Sequence, residues 1–345
     1  MLNNIDLSKY NVHTDLAIDN INLLNEHIKT IEEINDNVKV TKINLDDIES
    51  KKINKKKGIY TTIEFKDITD FQNREIVGKT LQTEIEKILK YKNIDKMDSG
   101  LIVGLGNPKS TPDALGSLTI NNILVTRHLF LLNTKVKKGI KNISAFTPGV
   151  MGETGIETKD LIESIINIVK PSFLIVIDSL KASSVDRVNK TIQITDTGIH
   201  PGSGVGNTRK EISEQTLKIP VIAIGVPTVV DVSTIVSDTI DMLLNHLSYI
   251  KNNFAKNKLI VKQFSNYKDK IKNSNNLTEE EKKYLLGALG ELDEDKKRAL
   301  FEEVLNRFNY NLIVTPKEID YLIEKLSDII SSALNNALHP SINNY

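Results

Sequence analysis

Apolar residues in this chain fall in short blocks whose spacing changes along its length. Three blocks are nearly continuous, at Leu101–Leu105, Phe173–Ile177 and Val221–Ile224. Runs of this kind fit strands covered on both faces, the condition of a parallel sheet. Thr191–Ile194 reads as a further short strand. Between these blocks the spacing becomes helical. Ile76, Leu81, Ile85, Ile88 and Leu89 give the stretch Glu75–Lys92 an apolar face, and Pro112–Phe130, Ile156–Val169, Ala182–Asn189 and Thr228–Leu247 are also helix-compatible. Thr111-Pro112-Asp113 has the form of a helix start, with threonine as cap and proline in the first turn. Strand and helix alternating in this way predict an α/β fold, a doubly wound and mostly parallel sheet with helices on both faces.

The flanks read differently. Lys39–Lys57 is dominated by polar residues and ends in Lys55-Lys56-Lys57, which predicts a solvated loop or an edge hairpin. Ala255–Asn276 is rich in Lys, Asn and Ser and reads as a connection. Beyond it the pattern is helical: Thr278 caps Glu279–Leu289, Asp293 opens a helix to Phe308, and Thr315-Pro316 starts a third that runs to Leu338. No internal repeat is evident.

Composition narrows the function classes. With 345 residues, one large α/β domain with a helical appendage is expected. Basic and acidic residues balance at 45 each, so no global field points to nucleic acid or an anionic membrane. The absence of cysteine excludes disulfides, thiolate nucleophiles, thiolate–zinc sites and iron–sulfur clusters, and fits a reducing interior. The first residues do not have the form of a secretory signal, and the longest apolar run, Ile219–Val232, is interrupted by Pro220, Pro227 and Asp231. A soluble intracellular protein is expected.

In folds of this class ligands gather beyond the carboxyl ends of the strands. Three polar or glycine-rich segments fall there: Gly104–Gly116, Ile177–Ala182 and Asp196–Glu211. Asp178 ends an apolar run, where it serves either as the cap of a following helix or as a functional carboxylate. Asp113 either favours the positive end of its helix or joins Asp178 from the same sheet edge. Two carboxylates within about 4 Å, at an effective dielectric near 20, repel by roughly 4 kcal/mol. That corresponds to about three pKa units. One would then keep its proton while the other stays ionised, a pairing able to activate water against an amide and protonate the departing nitrogen.

Competing motifs are weaker. Gly104-Leu105-Gly106 begins a dinucleotide fingerprint, but Lys109 stands where its third glycine belongs. Gly202–Gly206 matches neither a nucleophile elbow nor a Walker loop. His200 lacks the spacing of a metal site and reads as a structural histidine. Asp196-Thr197-Gly198 spells the aspartic-protease triplet in a foreign context.

Taken together, the blocks GLGNPKSTPDALG (Gly104–Gly116), VTRHLF (Val125–Phe130), PGVMGETGIET (Pro148–Thr158), Asp186–Glu211, IPVIAIGVPTVVD (Ile219–Asp231), VTPKEID (Val314–Asp320) and ALNNALH (Ala333–His339) are similar to those of the spore germination protease family. The similarity runs nearly end to end and is least over 35–75 and 255–280. It implies an intracellular endopeptidase of the spore core, with an α/β core similar to hydrogenase-maturation proteases. Small acid-soluble spore proteins would be its substrates during germination. It further implies an inactive homotetrameric zymogen and catalytic aspartates at Asp113 and Asp178, alone or with a metal assisting; no cofactor and no metal ligand are expected from the residues. Residues 1–15 correspond to a propeptide, cut between Asp15 and Leu16 in Val12-His13-Thr14-Asp15-Leu16-Ala17, with His13 in place of the family's usual arginine. An acidic, an apolar and a small residue in succession resemble the cut sites of the substrates, consistent with self-processing. The expected organisation is a propeptide over 1–15, a peptidase core over 16–254, a variable connection over 255–277 and C-terminal helices packing on the core over 278–345. A metal-dependent peptidase of the same fold and a nucleotide-binding α/β protein are the competing readings.

Overall fold

In the computed structural model, which describes residues 15–19, 24, 28–97, 99–132, 135–201, 209–254, 277–292, 294–306 and 312–341, the continuous apolar runs become strands of one sheet. Its strands are β1 (Lys29–Asn35), β2 (Val38–Leu45), β3 (Gly58–Phe65), β4 (Ser99–Gly104), β5 (Asn142–Phe146), β6 (Phe173–Ala182), β7 (Thr191–Thr195), β8 (Val221–Asp231) and β9 (Ile313–Val314). The order is β1-β2-β3-β7-β8-β6-β4-β5, with β9 pairing β8. The chain divides into two compact units, one made of 14–229 with 315–345 and the other containing 230–314. Expectations for the propeptide residues 1–14, the glycine run 202–206 and the connection 255–276 lie outside the described residues.

Pleating explains why the central runs are apolar throughout. On β6, Phe173, Ile175 and Ile177 enter a core layer with the helix Phe71–Tyr91 and the C-terminal helix Ile319–Leu338. Leu174 and Val176 enter the opposite layer, with Ile162 of helix Thr158–Val169. The same division holds on β4, where Ile102 faces the first layer and Leu101 and Val103 the second. The C-terminal helix buries Ile319, Ile323, Leu326, Ile330, Leu334 and Leu338, a stripe at helical spacing. Each such side chain contributes about 1.5–3 kcal/mol when fully buried.

The sheet is a mixed α/β sheet with helices on both faces. β4 pairs in parallel with β5 and with β6, in register from Gly100↔Phe173 to Gly104↔Ile177. The N-terminal strands extend it by antiparallel pairing, from β1 through β2 and β3 to β7. The Lys39–Lys57 stretch therefore holds most of β2 and the short helix Asp47–Lys52. Lys39 and Lys42 hid that strand, because its apolar residues are split between two faces, with Val38 and Val40 in one cluster and Ile43 and Leu45 in another. Two predicted helices also change. Ala182–Asn189 gives only a 3-10 turn at Val185–Arg187, because β6 runs on to Ala182. Pro112–Phe130 breaks into a 3-10 turn Thr111–Asp113 and helices Leu115–Asn121 and Arg127–Leu131.

Within the other unit, Ile313 and Val314 pair antiparallel with Asp231 and Val230. Helix Val232–Phe254 packs against helix Glu294–Asn306, with Lys297 reaching Asp241 at 3.4 Å. Thr278 and Glu281 form the capping box that starts helix Glu279–Leu286, as the Thr-x-x-Glu spacing predicts. Among the described residues no helix is long and apolar enough to cross a membrane.

Candidate active site

β6 is longer than its neighbour β4, and that difference creates the site. The last parallel pairing of β4 is Gly104 with Ile177, so Asp178 is the first residue of β6 beyond it. The chain leaving β4 stays close, because the Leu105 N–H donates to the Ile177 carbonyl at 2.8 Å. It then folds back through the Thr111–Asp113 turn and delivers Asp113 to the same place. The turn is fixed from three directions. The Asn107 N–H donates to Asp113 Oδ2 at 2.7 Å, and the Asp113 N–H donates to the Ser110 carbonyl at 2.8 Å. The buried Thr228 hydroxyl donates to the Pro112 carbonyl at 2.6 Å. Gly106 has φ of +97°, and a Cβ there would overlap the Asp113 carbonyl oxygen, so this approach requires glycine.

The helix-cap reading of Asp178 does not survive. Asp178 lies inside a strand and caps no helix; its Oδ1 accepts from the Ser179 N–H at 2.9 Å. Asp113 lies in the first turn of a 3-10 helix just before helix Leu115–Asn121, and its Oδ2 accepts from the Asn107 N–H.

The two carboxyls differ in environment. Asp178 is only 6% exposed. Burial pushes its carboxyl well above the usual carboxylate range, and the negative charges of Asp113 and then Asp15 push it further. Asp113 is half-buried and is raised by burial, against the Asn107 hydrogen bond and the nearby positive charge of Arg209. Arg209 also opposes the rise at Asp178, so one guanidinium faces both acids. Each accepts one backbone N–H, so the difference lies in burial, and the acid nearer solvent gives up its proton first.

A third carboxylate comes from the start of the described chain. Residues 15–19 lie against the face of the sheet that carries Asp178 and Leu180. Asp15 Oδ2 accepts from the Lys181 N–H at 2.9 Å. Leu16 is fully buried with Ile18 and Leu180, and Ala17 is fully buried in a cluster with Leu24, Ile43, Leu45, Ile53 and Tyr60. Asp19 pairs with the Arg187 guanidinium at 2.8 Å. Lys55 is held near Asp15 and Asp19; burial pushes its ammonium down while those two charges hold it up. The Asp15–Leu16 peptide thus lies beside the site, whereas His13 is outside the described residues.

The remaining motif residues are placed elsewhere. Asp196 Oδ1 accepts from the Ile59 N–H at 2.8 Å and ties β3 to the end of β7. His200 is half-exposed, 3.6 Å from Glu211, and burial lowers its pKa. Gly104-Leu105-Gly106 is occupied by the turn that carries Asp113. Among the described residues no group of three or more His, Cys, Asp or Glu side chains is disposed to hold a metal ion. Two residues at the site were not singled out from sequence. Arg209 had only its place beside a glycine-rich loop as a signal. Gln193 had a clearer one, a lone amide in the Thr-Ile-Gln-Ile-Thr strand.

Residues 11–345 match the family model described as germination protease. The germination protease of Bacillus mycoides (strain KBAB4) is 46% identical over 355 residues, covering 98% of this chain and 96% of the relative. That of Bacillus cereus (strain AH187) has the same identity and coverage. Among solved structures, a [NiFe] hydrogenase maturation protease, HycI of Thermococcus kodakarensis, matches at 14% identity and a TM-score of 0.26, over 42% of this chain and 80% of that one.

Proposed function

This chain belongs to the germination protease family, and on that premise we propose that it is a self-activating endopeptidase hydrolysing small acid-soluble spore proteins during germination, with Asp113 and Asp178 as its catalytic pair. The observation that carries the reading is the convergence of a buried, proton-retaining Asp178 with Asp113 and with the Asp15–Leu16 peptide at one strand end. In this mechanism ionised Asp113 takes a proton from water, and the water oxygen adds to the carbonyl carbon of the cut bond. Protonated Asp178 then gives its proton to the leaving nitrogen, and the C–N bond breaks. Arg209 holds the pair in a mixed protonation state by favouring one negative charge between them.

The same chemistry acts first on the chain itself. Cleavage at Asp15–Leu16 removes residues 1–15 from a zymogen of the spore core, and the mature protein works as a homotetramer. Supporting this is the position of Asp15, whose carboxylate is bonded to the strand that carries Asp178. The test uses full-length Asp113→Asn and Asp178→Asn proteins, with mass spectrometry of the N-terminus and digestion of a small acid-soluble spore protein. Both variants should fold and assemble yet release no propeptide and cut no substrate. Full activity in either removes that residue from the mechanism. Asp196→Asn should keep most activity, since its carboxylate serves a backbone amide.

A further inference from the structure

Gln193 is 5% exposed, at the centre of β7, and a buried amide needs partners for both its ends. It finds them on one stretch of chain. Its Nε2 donates to the Asp15 carbonyl oxygen at 3.3 Å, and its Oε1 accepts from the Ala17 N–H at 2.8 Å. The partners fix the orientation of the amide, because a carbonyl can only accept and an N–H can only donate. The two contacts straddle Leu16, so a single side chain spans the Asp15–Leu16 peptide and the peptide after it.

Neighbouring strands make room for this. Gln193 sits opposite Gly225 on β8, and a Cβ at Gly225 would stand 2.6 Å from Leu180 Cγ. Leu180 therefore lies over the glycine and reaches Leu16. Pleating puts Gln193 on the face opposite Ile192 and Ile194, and puts Leu180 on the same side of β6 as Asp178.

We propose that Gln193 is the residue that grips the substrate backbone around the cut bond, donating to the carbonyl that is attacked and accepting the N–H two residues further on. This rests on the reading that Asp15–Leu16 is the bond cleaved. Because both contacts are to backbone, the grip serves any peptide that can take the bend at Asp15 and the 3-10 turn begun at Ala17, and whose second residue after the cut is small enough for the place Ala17 fills. The donation to the carbonyl strengthens as water adds and that oxygen takes negative charge. Gln193 is therefore a positioning group for the ground state and a stabilising one for the intermediate.

The probe is the peptide Val-His-Thr-Asp-Leu-Ala-Ile-Asp, the sequence of residues 12–19, with an ester analogue in which lactate replaces the alanine. The ester removes one N–H without adding bulk. Full-length protein is allowed to process itself, and cleavage at Asp–Leu is followed by mass spectrometry. For the unmodified protein the ester should cost about tenfold in kcat/KM. Gln193→Leu should lose about a hundredfold on the natural peptide, and its ester and amide peptides should be cut alike. An ester cut as fast as the amide by the unmodified protein overturns the inference without any variant, and so does an ester penalty that persists in Gln193→Leu. Unmodified protein that neither releases its first 15 residues nor cuts the peptide ends the protease reading itself. Normal cutting that ignores both changes ends only the role of Gln193.

Discussion

Replacing Asp178 with asparagine should abolish activity and, at neutral pH, stabilise the fold. The carboxyl is 6% exposed, and burial with the charges of Asp113 and Asp15 raises its pKa well above the unfolded value. Below the unfolded pKa of about 3.9 both states are protonated and the group costs nothing. As pH rises through that value the unfolded chain ionises while the folded one keeps its proton, so stability falls until the folded carboxyl titrates as well. Each unit of upward shift is worth about 1.4 kcal/mol. Asparagine removes this linkage, and any cost of its own amide is independent of pH. The stability difference between Asp178→Asn and the unmodified protein should therefore grow in favour of the variant from pH 4 upward. Urea denaturation of both proteins at matched pH values, with equal m-values, measures it. A difference that stays flat from pH 4 to pH 8 refutes the buried, proton-retaining carboxyl. In an Asp113→Asn background the growth should be smaller, since Asp113 supplies part of the rise.

Two further outcomes follow from the packing. Gly225→Ala should destabilise the fold by about 1–3 kcal/mol through overpacking against Leu180, and Leu180→Ala in the same chain should recover part of the loss; additive losses would refute the contact. His339 is fully buried, accepts from the Lys141 N–H at 3.2 Å through Nδ1, and has its pKa lowered by burial. Below the unfolded histidine pKa of about 6.5 the unfolded chain takes up a proton that the folded one resists, so stability should fall as pH drops from 7 to 5. His339→Gln should flatten that slope, as thermal denaturation across the range would measure; parallel curves would refute it.

Much of this protein is written locally. The runs at Leu101, Phe173 and Val221 are apolar at every position because each pleat faces a covered layer, so strands and class of fold follow from composition alone. The capping box at Thr278 and the stripe of the C-terminal helix are equally local. Even the placing of Asp113 and Asp178 at one sheet edge follows from where apolar runs end. What the sequence could not carry is anything decided by a partner strand. β2 carries Lys39 and Lys42 among apolar residues split between two faces and looks solvated until β1 and β3 lie beside it. β6 outruns β4 by five residues, which turns Asp178 from an apparent helix cap into a strand residue inside the site. Arg209 and Gln193 meet their partners across long stretches of chain, Gln193 at a separation of 176 residues from Ala17. Side-chain period and capping are properties of a few neighbouring residues, whereas a buried charge or amide acquires its role from whatever the fold brings against it.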